Sequence, residues 1–314
     1  MGLISSITNR CMPGVDMDNN PKILALVGSR GMLAQAIQKS ASDEYQIRLL
    51  ARPQFDVTDA EGVASILGEI RPNVIVNCAA YTQVDGCESD AETAFRVNGE
   101  GPGTLAKSAR ELGATLVHIS TDYVFPGDAN TESLETDHTG PLSVYGRSKL
   151  AGEEGIVASG LKEYFILRTS WLYGPGGKNF VETMVRLGKE REELRVVSDQ
   201  VGSPTFTGDL AQAIFNLLAL EKSGREVPYG LYHFSNEGVC SWHGFAEAIL
   251  EEARACGEPI LAKRVVPIST AEYPLPATRP AYSVLCKDKY RQATGAKVPH
   301  WRDSLVYYFR KERD

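Results

Sequence analysis

From residue 22 onward, apolar runs and helical patterns alternate along the chain. Lys22–Ser29 (KILALVGS) is apolar without a polar alternation, the pattern of a strand buried on both faces of a parallel sheet. The turn Gly28-Ser-Arg-Gly31-Met-Leu-Ala34 leads into a helical segment ending near Ser40. A second strand is predicted over Gln46–Ala51, a helix over Asp59–Ile70 and a third, buried strand over Asn73–Ala80. A long helical region follows over Asp90–Leu112, softened by Gly99, Gly101, Pro102 and Gly103, then a fourth strand over Thr115–Thr121. After a polar loop comes a helix carrying Tyr145 and Lys149. Beyond it, strands are predicted over Tyr164–Tyr173 and Leu194–Ser198, and helices over Asn179–Glu190 and Thr207–Leu220.

This alternation predicts an α/β fold, a Rossmann-type doubly wound parallel sheet. Past Glu221 the elements shorten (Leu231–Ser235, Trp242–Ala255) and a proline-rich loop appears at Tyr273–Pro280. The expected organisation is an extension over 1–21, a dinucleotide-binding domain over 22–220 and a smaller, mostly substrate-binding lobe over 221–314. Loops of the first half would contribute to the lobe, and no linker marks the boundary.

Composition narrows the function classes. With 43% hydrophobic and 23% charged residues over 314, the chain reads as an ordinary soluble globular protein. Its net charge of -7 offers no basic footprint for nucleic acid or anionic lipid, so neither is expected as a partner. The six cysteines show no C-x-x-C pair and no histidine at metal spacing, which predicts reduced thiols in a cytoplasmic protein, with Cys78 as plain core. No apolar run reaches the roughly 18 residues of a membrane helix. Residues 1–21 lack the basic-then-apolar design of a signal segment and read as a loose extension.

The candidate chemistry begins at the glycine turn. Gly28 and Gly31 suit a dinucleotide loop, where missing side chains let a pyrophosphate approach the helix N–H groups, and Ala34 is small enough for helix–strand contact. The spacing is G-x-x-G-x-x-A, a weak motif strengthened by its place between a buried strand and a helix. At the end of the second strand stands Arg52, with no Asp or Glu, which favours the 2′-phosphate of NADP(H) and leaves NADH use open. Asp56 follows as an expected adenine contact. Ala79, Ala80 and Tyr81 lie at the carboxyl end of the third strand, where small residues leave room for cofactor ribose. The competing readings are a solvated Arg52 and simple close packing at the alanines.

Tyr145 and Lys149 are spaced i, i+4 and share one helix face. A phenol of ordinary pKa near 10 is a poor acid–base group at neutral pH, and a neighbouring ammonium is expected to lower it. Tyr145 would then protonate a ketone oxygen as hydride arrives, with Thr121 hydrogen-bonding the same oxygen. A bare Y-x-x-x-K is usually a solvated helix face. Here it follows a strand ending Ser120-Thr121-Asp122 inside a dinucleotide fold. Trp171, at a strand end, could pack a sugar ring against its indole; its bland alternative is a core tryptophan.

The glycine loop, Asn77-Cys-Ala-Ala-Tyr-Thr-Gln-Val-Asp85, Val97-Asn98, Ser120-Thr-Asp-Tyr-Val-Phe-Pro-Gly127, Tyr145-x-x-x-Lys149, Leu167-Arg-Thr-Ser-Trp171 and Asp199-Gln-Val-Gly-Ser-Pro-Thr205 together resemble the dTDP-4-dehydrorhamnose reductases, extended short-chain dehydrogenases, across about residues 22–310. The resemblance implies NADPH-dependent reduction of the 4-keto group of dTDP-4-dehydro-6-deoxy-L-mannose to dTDP-L-rhamnose. It implies Thr121, Tyr145 and Lys149 as the catalytic trio. It places Gly31, Met32, Leu33, Arg52, Asp56, Val57, Ala80 and Tyr81 at cofactor positions and Thr121, Asp122 and Trp171 at sugar positions. Asn179 and Gln200 are candidate contacts for the nucleotide end. Relatives can carry a magnesium-linked dimer built on glutamates, one of them near the start of the first helix. Here Ala34-Gln35-Ala36-Ile37 stands there, so no metal is predicted, while a homodimer stays open. Two other readings remain at this point: a sugar-nucleotide 4-ketoreductase of different stereochemistry, and a non-catalytic NADP-binding regulatory subunit. A 4-epimerase is disfavoured, since it would show no net NADPH consumption.

Overall fold

A computed structural model describes residues 20–313; residues 1–19 of the predicted extension, and with them Cys11, lie outside it. The elements run β1 (Lys22–Val27), α1 (Met32–Ser40), β2 (Tyr45–Leu50), α2 (Ala60–Ile70), β3 (Val74–Asn77), α3 (Val84–Ser89), α4 (Ala91–Ala94), α5 (Gly101–Leu112) and β4 (Thr115–Thr121). Then come α6 (Val144–Ala158), β5 (Tyr164–Thr169), β6 (Leu172–Tyr173), α7 (Phe180–Glu190), β7 (Glu193–Val197), β8 (Val201–Gly202), β9 (Thr205–Phe206) and α8 (Thr207–Leu218). The chain finishes with β10 (Gly230–His233), β11 (Cys240–Ser241), α9 (Trp242–Ala255), β12 (Arg264–Ile268), α10 (Asp288–Thr294) and α11 (Trp301–Tyr307).

Six strands form one parallel sheet in the order β10-β5-β4-β3-β1-β2. Successive residues of each strand face opposite sides, so a strand covered by helices on both sides must be apolar throughout. On one side Leu24, Leu26, Val74, Val76 and Val117 pack with α1 and α8; on the other Ala25, Val27, Ile75, Leu116 and Ile166 pack with α2, α5 and α6. The chain runs outward from β1 to β2 and returns to β3 on the far side. This puts the topological switch point, where such sheets bind ligands, at the carboxyl ends of β1 and β3.

A second core is built by α7, α9, α11 and the parallel pair β7–β12, around Phe245, Ile249, Leu250, Trp301 and Tyr308. The boundary expected at residue 220 is not where the two cores part. α7 and β7 precede it yet belong to the second core, while β10 follows it and becomes the edge of the central sheet beside β5. Hydrogen bonding to β5 claimed a short segment whose composition alone reads as lobe.

Two more predicted elements differ. The strand expected over Tyr164–Tyr173 stops at Thr169, because Trp171 takes a left-handed φ of 47°, and β6 pairs with β9 instead. The helix expected from Asp90 starts earlier as α3 and α4 and passes through a π-helical turn, Phe95–Glu100, before α5. Such turns recur at functional sites because they re-aim a side chain, here Asn98.

Helix α6 is seated on the sheet by two devices. Gly152 lies against the Asn98 carbonyl so closely that a Cβ would come within 2.2 Å of that oxygen. Next to it, Glu153 forms a two-pronged ion pair with Arg168 of β5 (Oε1–Nε 2.9 Å, Oε2–Nη2 2.6 Å) and accepts from Ser120 of β4. The two charged side chains are only 6% and 4% exposed. Removing one partner leaves the other charge buried. Arg168→Met is therefore expected to lose about 3–5 kcal/mol of stability in urea unfolding, and a Glu153→Leu/Arg168→Met double variant to recover much of it.

Candidate active site

The first cavity, of about 470 Å³, opens at the switch point and is lined by Gly28, Arg30, Gly31, Ala51, Arg52, Phe55, Asp56, Val57, Cys78, Ala79, Ala80 and Val97. Gly28 has φ 74°, and a Cβ there would sit 2.6 Å from the Ala79 amide nitrogen, so only glycine lets β1 and β3 deliver their ends this close. β3 ends at Asn77, earlier than expected, and Cys78–Ala80 turn aside to line the cavity. Cys78 packs against the core, as read, and also lines the cavity wall; burial pushes its thiol up to about 12. Met32 and Leu33 lie in the first turn of α1, which starts directly after the lining residue Gly31; neither lines the cavity itself.

The lining suits a phosphorylated dinucleotide. Two exposed guanidiniums, Arg30 and Arg52, stand at the mouth. Asp56 spends its Oδ1 on the Thr58 amide and hydroxyl, both at 2.9 Å, and this holds its carboxyl below the usual range. The cradle therefore presents cations and amide groups where a ribose phosphate would lie. Arg30 was not singled out from the sequence, since an arginine inside a glycine turn reads as solvated.

The predicted chemical residues lie on β4 and α6, where Lys149 faces Cys78 of the cavity wall. β4 ends at Thr121 and α6 begins after Ser143, whose hydroxyl caps the Gly146 amide at 3.1 Å. Thr121 donates to Asp122 Oδ1 at 2.9 Å and accepts from the Tyr123 amide at 3.3 Å. The other Asp122 oxygen is buried without a partner, and burial pushes the carboxyl up to about 7. Lys149 is 2% exposed and donates to the Ile119 carbonyl at 2.5 Å. Burial, opposed by Glu153, brings its ammonium down to about 8.

Tyr145 behaves differently from expectation. Burial outweighs every other influence and pushes its phenol above 10, with the Thr121 hydroxyl opposing the rise. The neutral phenol is the form that can give a proton away, so the site as built holds an acid rather than a standing phenolate. The Tyr145 ring meets Tyr123 edge-on at 5.4 Å.

Tyr123 also lines the second cavity, of about 570 Å³, between α7, β7 and the Tyr273–Arg279 loop. Its floor is apolar (Phe180, Met184, Leu187, Val196, Trp242) and its rim carries Arg191, Arg195 and Arg279. Arg279 is gripped by Asp85 through two bonds of 3.1 and 2.8 Å, tying this loop to the start of α3. Gln200 lines the cavity and donates to Thr270 at 3.0 Å. Trp171 lies face to face with Trp242 (centroids 3.5 Å, 8°), so one indole face is already covered. Trp242 itself, unmarked in the sequence, lines the cavity. Asn179 lines neither cavity. It caps α7 through the Glu182 amide at 3.1 Å and donates to the Gly174 carbonyl at 2.9 Å. Asn98, given no role from sequence, joins Tyr81 (2.8 and 3.0 Å) to Ser148 of α6 (3.1 Å).

Comparison with known proteins gives this geometry a family. A model described as the RmlD substrate binding domain matches residues 22–313. A dTDP-4-dehydrorhamnose reductase of Burkholderia thailandensis is 41% identical, covering 90% of this chain and 95% of that protein. The spore coat polysaccharide biosynthesis protein SpsK of Bacillus subtilis is 42% identical over 85% of this chain and 89% of its own length. The solved dTDP-4-dehydrorhamnose reductase of Bacillus anthracis, in complex with NADP, superposes with a TM-score of 0.86 at 39% identity, covering 92% and 99% of the two chains. UDP-glucose 4-epimerase of Thermus thermophilus shares the fold at 22% identity and a TM-score of 0.74, covering 92% of this chain and 99% of that one. The chain belongs to the dTDP-4-dehydrorhamnose reductase family.

Proposed function

We propose that this protein reduces the 4-keto group of dTDP-4-dehydro-6-deoxy-L-mannose with NADPH, forming dTDP-L-rhamnose for polysaccharide synthesis. The observation that carries the reading is the Tyr145–Lys149 face of α6, with Lys149 buried and Tyr145 half-buried; Tyr123, edge-on to Tyr145, lines the cavity rimmed by arginines, and Cys78, which faces Lys149, lines the dinucleotide-sized one. The relatives named as dTDP-4-dehydrorhamnose reductases, and the one bound to NADP, support it.

NADPH, when bound, supplies the hydride. Arg52 and Arg30 would hold its 2′-phosphate, while Gly28, Gly31, Met32, Leu33, Val57, Ala79, Ala80 and Tyr81 would shape its cradle. Tyr145 gives its phenol proton to the sugar's O4 as charge develops there. Thr121 turns its hydroxyl from Asp122 toward the same oxygen. Trp171, backed by Trp242, would cover the sugar, with Gln200 and the arginine rim toward the nucleotide. Five described cysteines are free thiols, in keeping with a cytoplasmic enzyme.

Purified protein given the keto-sugar nucleotide should oxidise NADPH, followed as loss of its absorbance. Tyr145→Phe should retain NADPH binding and lose about 10²–10⁴-fold in kcat; full activity would contradict the assignment. Arg52→Ala removes a charged hydrogen bond to the 2′-phosphate. It should raise the KM for NADPH about 10–100-fold while leaving that for NADH nearly unchanged.

A further inference from the structure

Behind the Tyr145–Lys149 face, a closed row of polar side chains joins Lys149 on α6 to two residues that the mechanism above does not use, His118 in β4 and Asn77 at the end of β3. They are 2%, 0% and 1% exposed. Asn77 Nδ2 and His118 Nδ1 are 3.0 Å apart, and His118 Nε2 lies 3.2 Å from Lys149 Nζ.

Hydrogen-bond accounting fixes the imidazole. Asn77 Oδ1 accepts the Ala79 amide at 3.0 Å, so the amide group that faces His118 is the NH₂, which can only donate. His118 Nδ1 is therefore the accepting nitrogen, and a neutral ring carries its proton on Nε2. Burial, and after it the Lys149 charge, holds His118 well below its ordinary pKa, so the neutral ring is the relevant form. Its Nε2–H points at Lys149 Nζ. An amine can accept that proton while donating to the Ile119 carbonyl. An ammonium has only donors and meets N–H with N–H.

We propose that His118, with its tautomer set by Asn77, is a positioning residue that biases Lys149 toward the amine and so makes its ammonium a ready proton donor. The proposal draws its consequence, though not its test, from the reductase reading. Once Tyr145 has given up its proton, the site must restore it. With the phenol held up and the lysine held down to about 8, proton return from the lysine side to the phenolate runs downhill. Other groups also face Lys149. Glu153, one turn along α6, favours the ammonium; Cys78, from the end of β3, is a neutral thiol through the working range. Asn77 is an amide and cannot pass a proton on, so the row is a dead end and not a wire to solvent.

The test is nuclear magnetic resonance on the full chain carrying ¹⁵N-histidine and ¹³C-lysine. His118 should show the Nε2–H tautomer and no titration across roughly pH 6 to 9. An Nδ1–H tautomer or an imidazolium would overturn the proposal. In Asn77→Asp, the carboxylate can accept from both Ala79 and His118 Nδ1–H, so the tautomer should reverse; a retained Nε2–H would overturn the part given to Asn77. His118→Gln exchanges the fixed N–H for an amide that can turn its oxygen toward Nζ. Lys149 should then titrate higher by roughly one pH unit, and the alkaline limb of kcat/KM should move with it. An unmoved Lys149 titration would leave His118 as core packing only. Absence of turnover in the unaltered protein would count against the reductase reading and not against the tautomer, which is read without substrate.

Discussion

The seating of α6 against β4 and β5 is the constraint on which the rest depends. Tyr145 and Lys149 are useful only if their helix lies close enough to the sheet for Thr121 and the Ile119 carbonyl to reach them. Gly152 permits that approach by leaving the Asn98 carbonyl uncovered, and the Glu153–Arg168 pair, joined by Ser120, locks the helix in rotation. A buried ion pair is a poor source of net stability, since desolvation offsets most of its attraction. Its value here is register: it ties one helix to two adjacent strands at a single point.

That seating also sets the electrostatics. Both groups on the α6 face are desolvated, and desolvation acts oppositely on an acid that ionises to an anion and on a cation that loses its charge. The phenol is driven up and the ammonium down by the same dry surroundings. The separation of their pKa values follows from burial rather than from a strong contact between them, and it suits a site that must release one proton and then recover it. Each cavity reaches this face through one residue: Cys78 from the switch-point cavity with its cations and amides, and Tyr123 from the apolar cavity with its arginine rim.

Much of this was legible along the chain. Continuous apolar runs marked the buried parallel strands, and the turn at Gly28 could be placed because a left-handed residue after a buried strand has few other uses. Tyr145 and Lys149 stand on one helix, as their spacing indicates, and Thr121 at the end of β4. What stayed hidden depends on contacts between distant segments. β10 looks like any short strand until it pairs with β5. Trp171, left-handed and stacked on Trp242, interrupts a run that reads as unbroken strand. Asn179 is a helix cap, a role its position before an amphipathic helix does signal. The Asn77–His118–Lys149 row joins two strands and a helix, and no periodicity could have shown it.

Net hydride transfer to one carbon of a nucleotide sugar is the chemical core of the proposed reaction. The most direct measurement is turnover of the dTDP-linked 4-keto-6-deoxy sugar with NADPH deuterated at the transferable C4 position, with the sugar product examined by NMR. The account predicts one deuterium at sugar C4, the configuration of dTDP-L-rhamnose and one NADP⁺ formed per sugar. A product without deuterium at C4, or interconversion of sugars with no net consumption of NADPH, would contradict it.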